Sequence, residues 1–252
     1  MITIEGDLVT VDGPDGRREF PIGSKEGFQL LSKLWLRSGW DTKYVYSFTW
    51  LGRPIIQLPD DLMRLQEVIY RVQPDLIIEV GVAHGGSLLF CAGLCRLMGR
   101  GRVLGIEIAL RPANRAAIEA HPLAPLVTLV DGSSTDPDVV EQVRRHVEPG
   151  DRVLVTLDGC HDRDHVVAEL EAYAPLVSPN SYIIAMDGIM EEVVGAPRTQ
   201  PDWTWNNPKQ AARDFAQAHP EFVVEEPPLP FNEGTTDTRV TYWPGGYLRR
   251  LP

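Results

Sequence analysis

Residues 75–87 (DLIIEVGVAHGGS) constrain the fold more than any other stretch of the chain. Leu76, Ile77, Ile78 and Val80 surround one acid, Glu79. An apolar run without polar alternation reads as a parallel strand buried on both faces. It passes into Gly81, Gly85 and Gly86, and then into an apolar helix over residues 88–98. Strand, glycine turn and helix in that order form a nucleotide-binding crevice at the carboxyl edge of a parallel sheet.

The turn narrows the choice of ligand. A dinucleotide fingerprint needs Gly-x-Gly-x-x-Gly, and Ala83 breaks that register. An acid two residues before the first glycine suits a ligand with a cationic amino-acid end, which points to S-adenosylmethionine (SAM). The second strand, residues 102–108, carries Glu107 26 residues past Gly81, where a carboxylate accepts from ribose hydroxyls. A third strand over 126–130 leads into Asp131-Gly132-Ser133, and Asp131 is a candidate acceptor for an adenine amino group.

Composition excludes several classes. The chain has 252 residues, 43% of them hydrophobic, enough for one large α/β core. A net charge of −11 with no long basic cluster argues against nucleic acid as a partner. Cys91, Cys95 and Cys160 show neither zinc-like spacing nor an even-numbered framework, which suits a reducing compartment. The first residues lack the pattern of a signal peptide, and no apolar run reaches membrane-spanning length. A cytoplasmic protein with no membrane partner is the expectation.

Residues 1–23 read as a hairpin with turn chemistry at residues 13–16, and Ser24 caps a helix to about Leu36. Residues 40–59 are dense in aromatics. They read either as a hydrophobic clasp or subunit contact, or as a wall for a flat or sugar-like substrate. Two units are expected: an appendage over 1–59 and the main domain over 60–252. Helices follow over 60–72, 111–121 and 136–146. The fourth strand, 152–157, ends in Asp158, with His161 three residues later and His165 read as structural; the fifth, 181–186, ends in Asp187. Two acids on one strand-end rim suit Mg²⁺ or Ca²⁺. The irregular segment 190–207 reads as a lid, with Trp203, Trp205 and Asn206 as candidate acceptor contacts. A helix near 208–218 and strands at 222–225 and 238–243 complete a seven-stranded, mostly parallel Rossmann-like sheet with one antiparallel strand, the SAM-dependent methyltransferase arrangement.

Four segments carry a resemblance: 50–54 (WLGRP), 78–87 (IEVGVAHGGS), 157–161 (LDGCH) and 244–250 (PGGYLRR). Over roughly residues 45–250 the chain resembles the cephalosporin hydroxylase family. Its members look like SAM- and Mg²⁺-dependent O-methyltransferases and are similar to the deoxysugar O-methyltransferases of antibiotic pathways. The resemblance implies cofactor contacts at Glu79, Gly81, Ser87, Glu107 and Asp131, with Ala83, Ile108, Gly132 and Ser133 in the same turns. It also implies Asp158 and Asp187 as metal ligands and His161 as the general base, with Asp158 part of the catalytic group. The family tends to place a Glu-Asp pair where this chain has Met186-Asp187, one carboxylate fewer for a metal. Methyl transfer to a sugar hydroxyl of a secondary metabolite of antibiotic biosynthesis (a sugar or glycosylated natural product) or of its nucleotide-sugar precursor, by a homo-oligomer, is the expectation. A β-lactam or polyketide acceptor, and a SAM-binding protein without turnover, are the alternatives.

Overall fold

The computed structural model describes residues 1–14, 16–234 and 236–252, and among them the chain opens on an antiparallel sheet of three strands. These are β1 (Ile2–Glu5), β2 (Leu8–Gly13) and β3 (Gly16–Pro21). β3 falls outside the expected hairpin because its charged sequence is mostly exposed and lacks apolar alternation. The expected turn at 13–16 includes Asp15, which lies outside the described residues. Helix α1 (Lys25–Thr42) starts where Ser24 Oγ accepts from Gly27 N–H at 3.0 Å. It runs past Leu36 and stops at Lys43, which takes the left-handed conformation of a helix C-cap.

The aromatic segment contains a hairpin, β4 (Phe48–Trp50) with β5 (Arg53–Ile55), turned by Leu51 and Gly52 at positive φ. Trp50 packs edge-on against Phe90 at 4.9 Å. This part of the segment is therefore a clasp over the core. Then come α2 (Pro59–Val72), β6 (Leu76–Val80), α3 (Gly86–Met98), β7 (Arg102–Glu107), α4 (Pro112–Glu119) and β8 (Val127–Asp131). The second half supplies α5 (Pro137–Arg145), β9 (Val153–Leu157), α6 (Arg163–Tyr173), β10 (Tyr182–Ala185), α7 (Pro208–Ala218), β11 (Phe222–Val224) and β12 (Tyr247–Arg250). Among the described residues no helix is long and apolar enough to cross a membrane.

The central sheet runs β11-β12-β10-β9-β6-β7-β8, with β12 antiparallel to both of its neighbours. Every residue of β6 is buried. Leu76, Ile77 and Ile78 are each worth roughly 1.5–3 kcal/mol of apolar burial. The last strand corrects the sequence reading, since residues 238–243 are not a strand. The Tyr242 N–H donates to Asp61 Oδ2 at 2.8 Å and the Thr241 hydroxyl to Asp61 Oδ1, so this segment is tied to α2. The sheet is completed by 247–250, because Gly246 lets the chain pass against the Ala185 carbonyl where a Cβ would collide.

Glu79, the last residue but one of β6, is 2% exposed, and among the described residues its hydrogen-bond partner is the Ser87 hydroxyl, which donates at 2.8 Å. Burial, helped by the Asp158 charge, outweighs the Ser87 hydrogen bond and raises its carboxyl from about 4.5 to about 8. A folded-state value above the unfolded one means that the acid favours folding fully below about 4.5 and loses that contribution as pH rises to about 8. Glu79→Gln keeps an acceptor for Ser87 and cannot ionise. Urea denaturation should show the wild type losing stability relative to this variant between mildly acidic and mildly alkaline pH, by on the order of 1–4 kcal/mol. Parallel pH profiles would mean that Glu79 does not titrate with folding.

Candidate active site

The carboxyl ends of β7, β6, β9 and β10 stand side by side, because these four strands are neighbours and parallel. The β6 end depends on Gly81. Its φ is +89°, and a Cβ there would collide with the Asp158 carbonyl oxygen. Without a side chain, the turn after β6 lies directly against the one after β9.

The turn is clamped on two sides. The Arg53 Nε and Nη2 donate to the His84 carbonyl at 3.0 and 2.7 Å, and Nη2 also reaches Asn114 Oδ1 at 3.0 Å. Asn114 Nδ2 donates to the Ala83 carbonyl at 2.9 Å. On the inner side, the N–H groups of Val82 and Ala83 donate to Glu107 Oε2 at 3.0 and 2.9 Å. Among the described residues Glu107 Oε1 has only a 3.5 Å contact to the Ala109 N–H, which leaves it able to accept from a ligand hydroxyl.

Three cavities adjoin along this rim. The first, about 230 Å³, lies among Gly81, Glu107, Ile108, Gly132, Ser133 and Gly159. Ile108 is 71% exposed at its mouth, an apolar surface for a flat ring. The second, about 150 Å³, shares Gly81, Ala83 and Asp158 with the first and adds Ser87 and His84. The third, about 280 Å³, shares Tyr46, Ile56, His161 and Asp187 with the second and is walled by Trp40, Trp203 and Tyr242. A larger cavity, about 510 Å³, lies between α2 and the 226–241 segment. It borders none of these strand-end groups, so size alone does not locate the chemistry.

Most of the residues expected at the cofactor are gathered here, with two shifts. Glu79 lies beneath the turn, bonded to Ser87, and does not line the first cavity. Asp131 is two-thirds exposed and paired with Arg115 at 2.5 Å, so the cavity wall is built by Gly132, Ser133 and Ser134 instead. Behind them stands Glu169, fully buried, whose Oε1 accepts from the Ser134 hydroxyl at 2.5 Å and lies 3.0 Å from His165 Nε2. Burial holds the Glu169 carboxyl above its ordinary range, against the pull of Ser134 and His165. The sequence signal was the i, i+4 spacing of His165 and Glu169 on a helix, which places both on one face.

Asp158, His161 and Asp187 converge where the second and third cavities meet. One ligand atom from each lies within 4.8 Å of the others, and His161 Nε2 is 3.4 Å from an oxygen of each acid. Asp187 sits at φ +61°, a strained backbone that an aspartate tolerates and that clusters at functional sites. Burial raises the Asp187 carboxyl, the His161 charge lowers it and Asp158 raises it. Burial disfavours charged His161, but Asp187 and Asp158 outweigh it and lift the imidazole to about 9. It therefore holds its proton at neutral pH in this arrangement, unlike an ordinary histidine. Gln57 completes the group: buried, it donates to Asp158 Oδ2 at 2.8 Å and lies 3.7 Å from the Met186 sulfur. Sequence reasoning missed it, although it is the one polar residue in the run Ile55-Ile56-Gln57-Leu58.

The acids fit a divalent cation. Oxygens bound at 2.0–2.6 Å to one ion stand at most about 4–5 Å apart, which matches the spacing here. Within residues 190–207, Trp203 faces the third cavity and meets Trp40 edge-on at 5.7 Å. Trp205 is exposed outside it. Asn206 is spent on structure: its Oδ1 accepts from the Arg163 N–H at 2.7 Å, and its Nδ2 donates to Asp162 and Asp202. Of the three expected residues only Trp203 lines this cavity, together with Trp40 and Tyr46.

Known proteins share parts of this sequence and its fold. Rhamnosyl O-methyltransferases of Mycobacterium tuberculosis and Mycobacterium leprae are 32% and 30% identical over 142 residues, covering 55% of this chain and 56% and 59% of theirs. The chain thus matches little more than half the length of these curated relatives. A CmcI structure with Mg and SAM superposes with a TM-score of 0.54 at 19% identity, over 82% of this chain and 78% of that one. A SAH-bound methyltransferase of Podospora anserina gives 0.53 at 17%, over 89% and 88%. At such identities the likeness establishes the fold, Rossmann-like as expected. The family model described as Rhamnosyl O-methyltransferase/CmcI matches residues 42–251, and the chain belongs to that family.

Proposed function

We propose that this protein transfers the methyl group of SAM to a hydroxyl of a sugar or a glycosylated secondary metabolite, with a divalent cation such as Mg²⁺. The observation that carries this reading is the row of three adjoining cavities, with Glu107 in the first and His161 and Asp187 between the second and third. Their order suits adenosine, the methionine end and the acceptor in turn. Names of the curated relatives and the aromatic walls of the third cavity support a sugar.

In this reading Glu107 Oε1 accepts from the ribose hydroxyls, Ile108 covers the adenine and the Gly132–Ser134 turn bounds its edge. The adenine amino group meets this turn, backed by Glu169, and not Asp131. The acids at the next junction favour the sulfonium charge. Trp40 and Trp203 hold the sugar so that its oxygen, the methyl carbon and the sulfur fall in line, an orientation effect worth up to ~7–11 kcal/mol. As the O–C bond forms, the C–S bond breaks and leaves a neutral thioether; the hydroxyl proton passes to His161. A cation held by Asp158 and Asp187 would acidify the hydroxyl and offset the two charges that keep His161 protonated. Gln57 holds Asp158 in place throughout.

Two measurements test the assignment. Glu107→Ala should weaken SAM or SAH binding by about 1–3 kcal/mol in calorimetry, since ribose hydroxyls lose their acceptor; unchanged affinity would remove Glu107 from the site. His161→Ala should lower kcat by roughly 10²–10⁴-fold with SAH affinity nearly unchanged, and exhaustive chelation should lower the wild-type rate. Activity that survives chelation argues against the metal. A His161→Ala variant with more than about a tenth of the wild-type kcat argues against His161 as the base. SAH binding without transfer to any sugar acceptor would favour a binding protein.

A further inference from the structure

We infer that the acceptor carries an anionic group, a carboxylate or a phosphate, gripped by Lys43 and Arg198 in the wall of the third cavity. The inference rests on the proposed reading of that cavity as the acceptor site. Apart from His161 and Asp187 at its inner end, its charged lining consists of these two cations.

Both are exposed and meet at one place, the C-terminal end of α1. Lys43 caps the helix in the left-handed conformation, its N–H donating to the Trp40 carbonyl at 3.2 Å. The Arg198 guanidinium donates to the same carbonyl, and Trp40 Nε1 donates back to the Pro197 carbonyl at 3.0 Å. The Lys43 ammonium stands 5.5 Å over the Tyr46 ring, which also lines the cavity.

The helix end accounts for one guanidinium N–H and no more. Among the described residues neither Lys43 nor Arg198 has a carboxylate within ion-pair distance, in a chain whose net charge is −11. A neutral sugar would use the aromatic walls and leave both cations idle. An anion would use both, because guanidinium and ammonium groups form charge-assisted hydrogen bonds with carboxylate and phosphate oxygens. The polarity of the cavity then sets orientation. His161 and Asp187 lie where this cavity meets the second one, so an anionic group held on Lys43 and Arg198 leaves the acceptor's hydroxyls to face the reacting groups.

Calorimetry on the SAH-loaded, full-length protein tests this with matched probes: methyl glucuronide against methyl glucoside, and rhamnose 1-phosphate against methyl rhamnoside. In at least one pair the anionic member should bind about tenfold tighter or more, an advantage that shrinks with added salt. The pair that shows it tells carboxylate from phosphate. The double variant Lys43→Ala/Arg198→Ala should bring the anionic member down to its neutral partner while SAH still binds, and Lys43→Arg should keep the advantage. Equal binding in both pairs, no binding by any probe, or an advantage that survives in the double variant overturns the inference. Failure of the wild type to bind SAH would overturn the proposed function instead.

Discussion

Everything at the strand-end rim depends on the contact between Gly81 and the Asp158 backbone. Any side chain at Gly81 would force the β6 and β9 turns apart, and its φ of +89° is one that other residues rarely adopt. Because β7, β6, β9 and β10 are consecutive and parallel, their ends are spaced about 4.8 Å apart in register. Glu107, the glycine turn, Asp158 and Asp187 therefore form a row with no further device. Arg53 and Asn114 hold the outer side of the turn, which explains why a motif from the β4–β5 hairpin belongs with one from the central strand.

Electrostatics give that row its purpose. Glu79, Glu107, Asp158, Glu169 and Asp187 crowd one edge of the sheet, and burial raises the carboxyls of Glu79, Glu169 and Asp187. Like charges in a partly dry space are costly unless protonated or matched. Glu79 keeps its proton, while Asp158 and Asp187 share that of His161. A cationic ligand at their junction relieves the same strain, so the site favours positive charge before any substrate arrives. Elsewhere in the lining of the third cavity the sign reverses, at Lys43 and Arg198.

The central architecture was legible because a buried parallel strand cannot hide its apolar run, and glycine with a following helix marks a crevice. Strand-end acids were legible for the same reason: Glu107, Asp158 and Asp187 each terminate an apolar run. What stayed hidden rests on tertiary partners. Asp131 reads as a ligand contact, and no spacing shows that Arg115, sixteen residues earlier, pairs with it. Asn206 reads as a lid donor, yet it stitches the loop to α6. Residues 238–243 carry strand-like composition, and only the buried Asp61 of α2 shows why their backbone goes elsewhere. His161 has the identity expected of a base, but two acids at 3.4 Å shift its titration in a way no spacing reveals.

The account stands on one placement: the ligand lies along the row of strand ends, with its sulfur at the junction of the second and third cavities. A crystal structure with SAH tests that most directly. The account predicts ribose hydroxyls on Glu107 Oε1, adenine between Ile108 and the Gly132–Ser134 turn, and the sulfur facing Asp158 and His161. SAH seated instead in the larger cavity against α2, or lying on the rim with its sulfur turned away from His161, would contradict it.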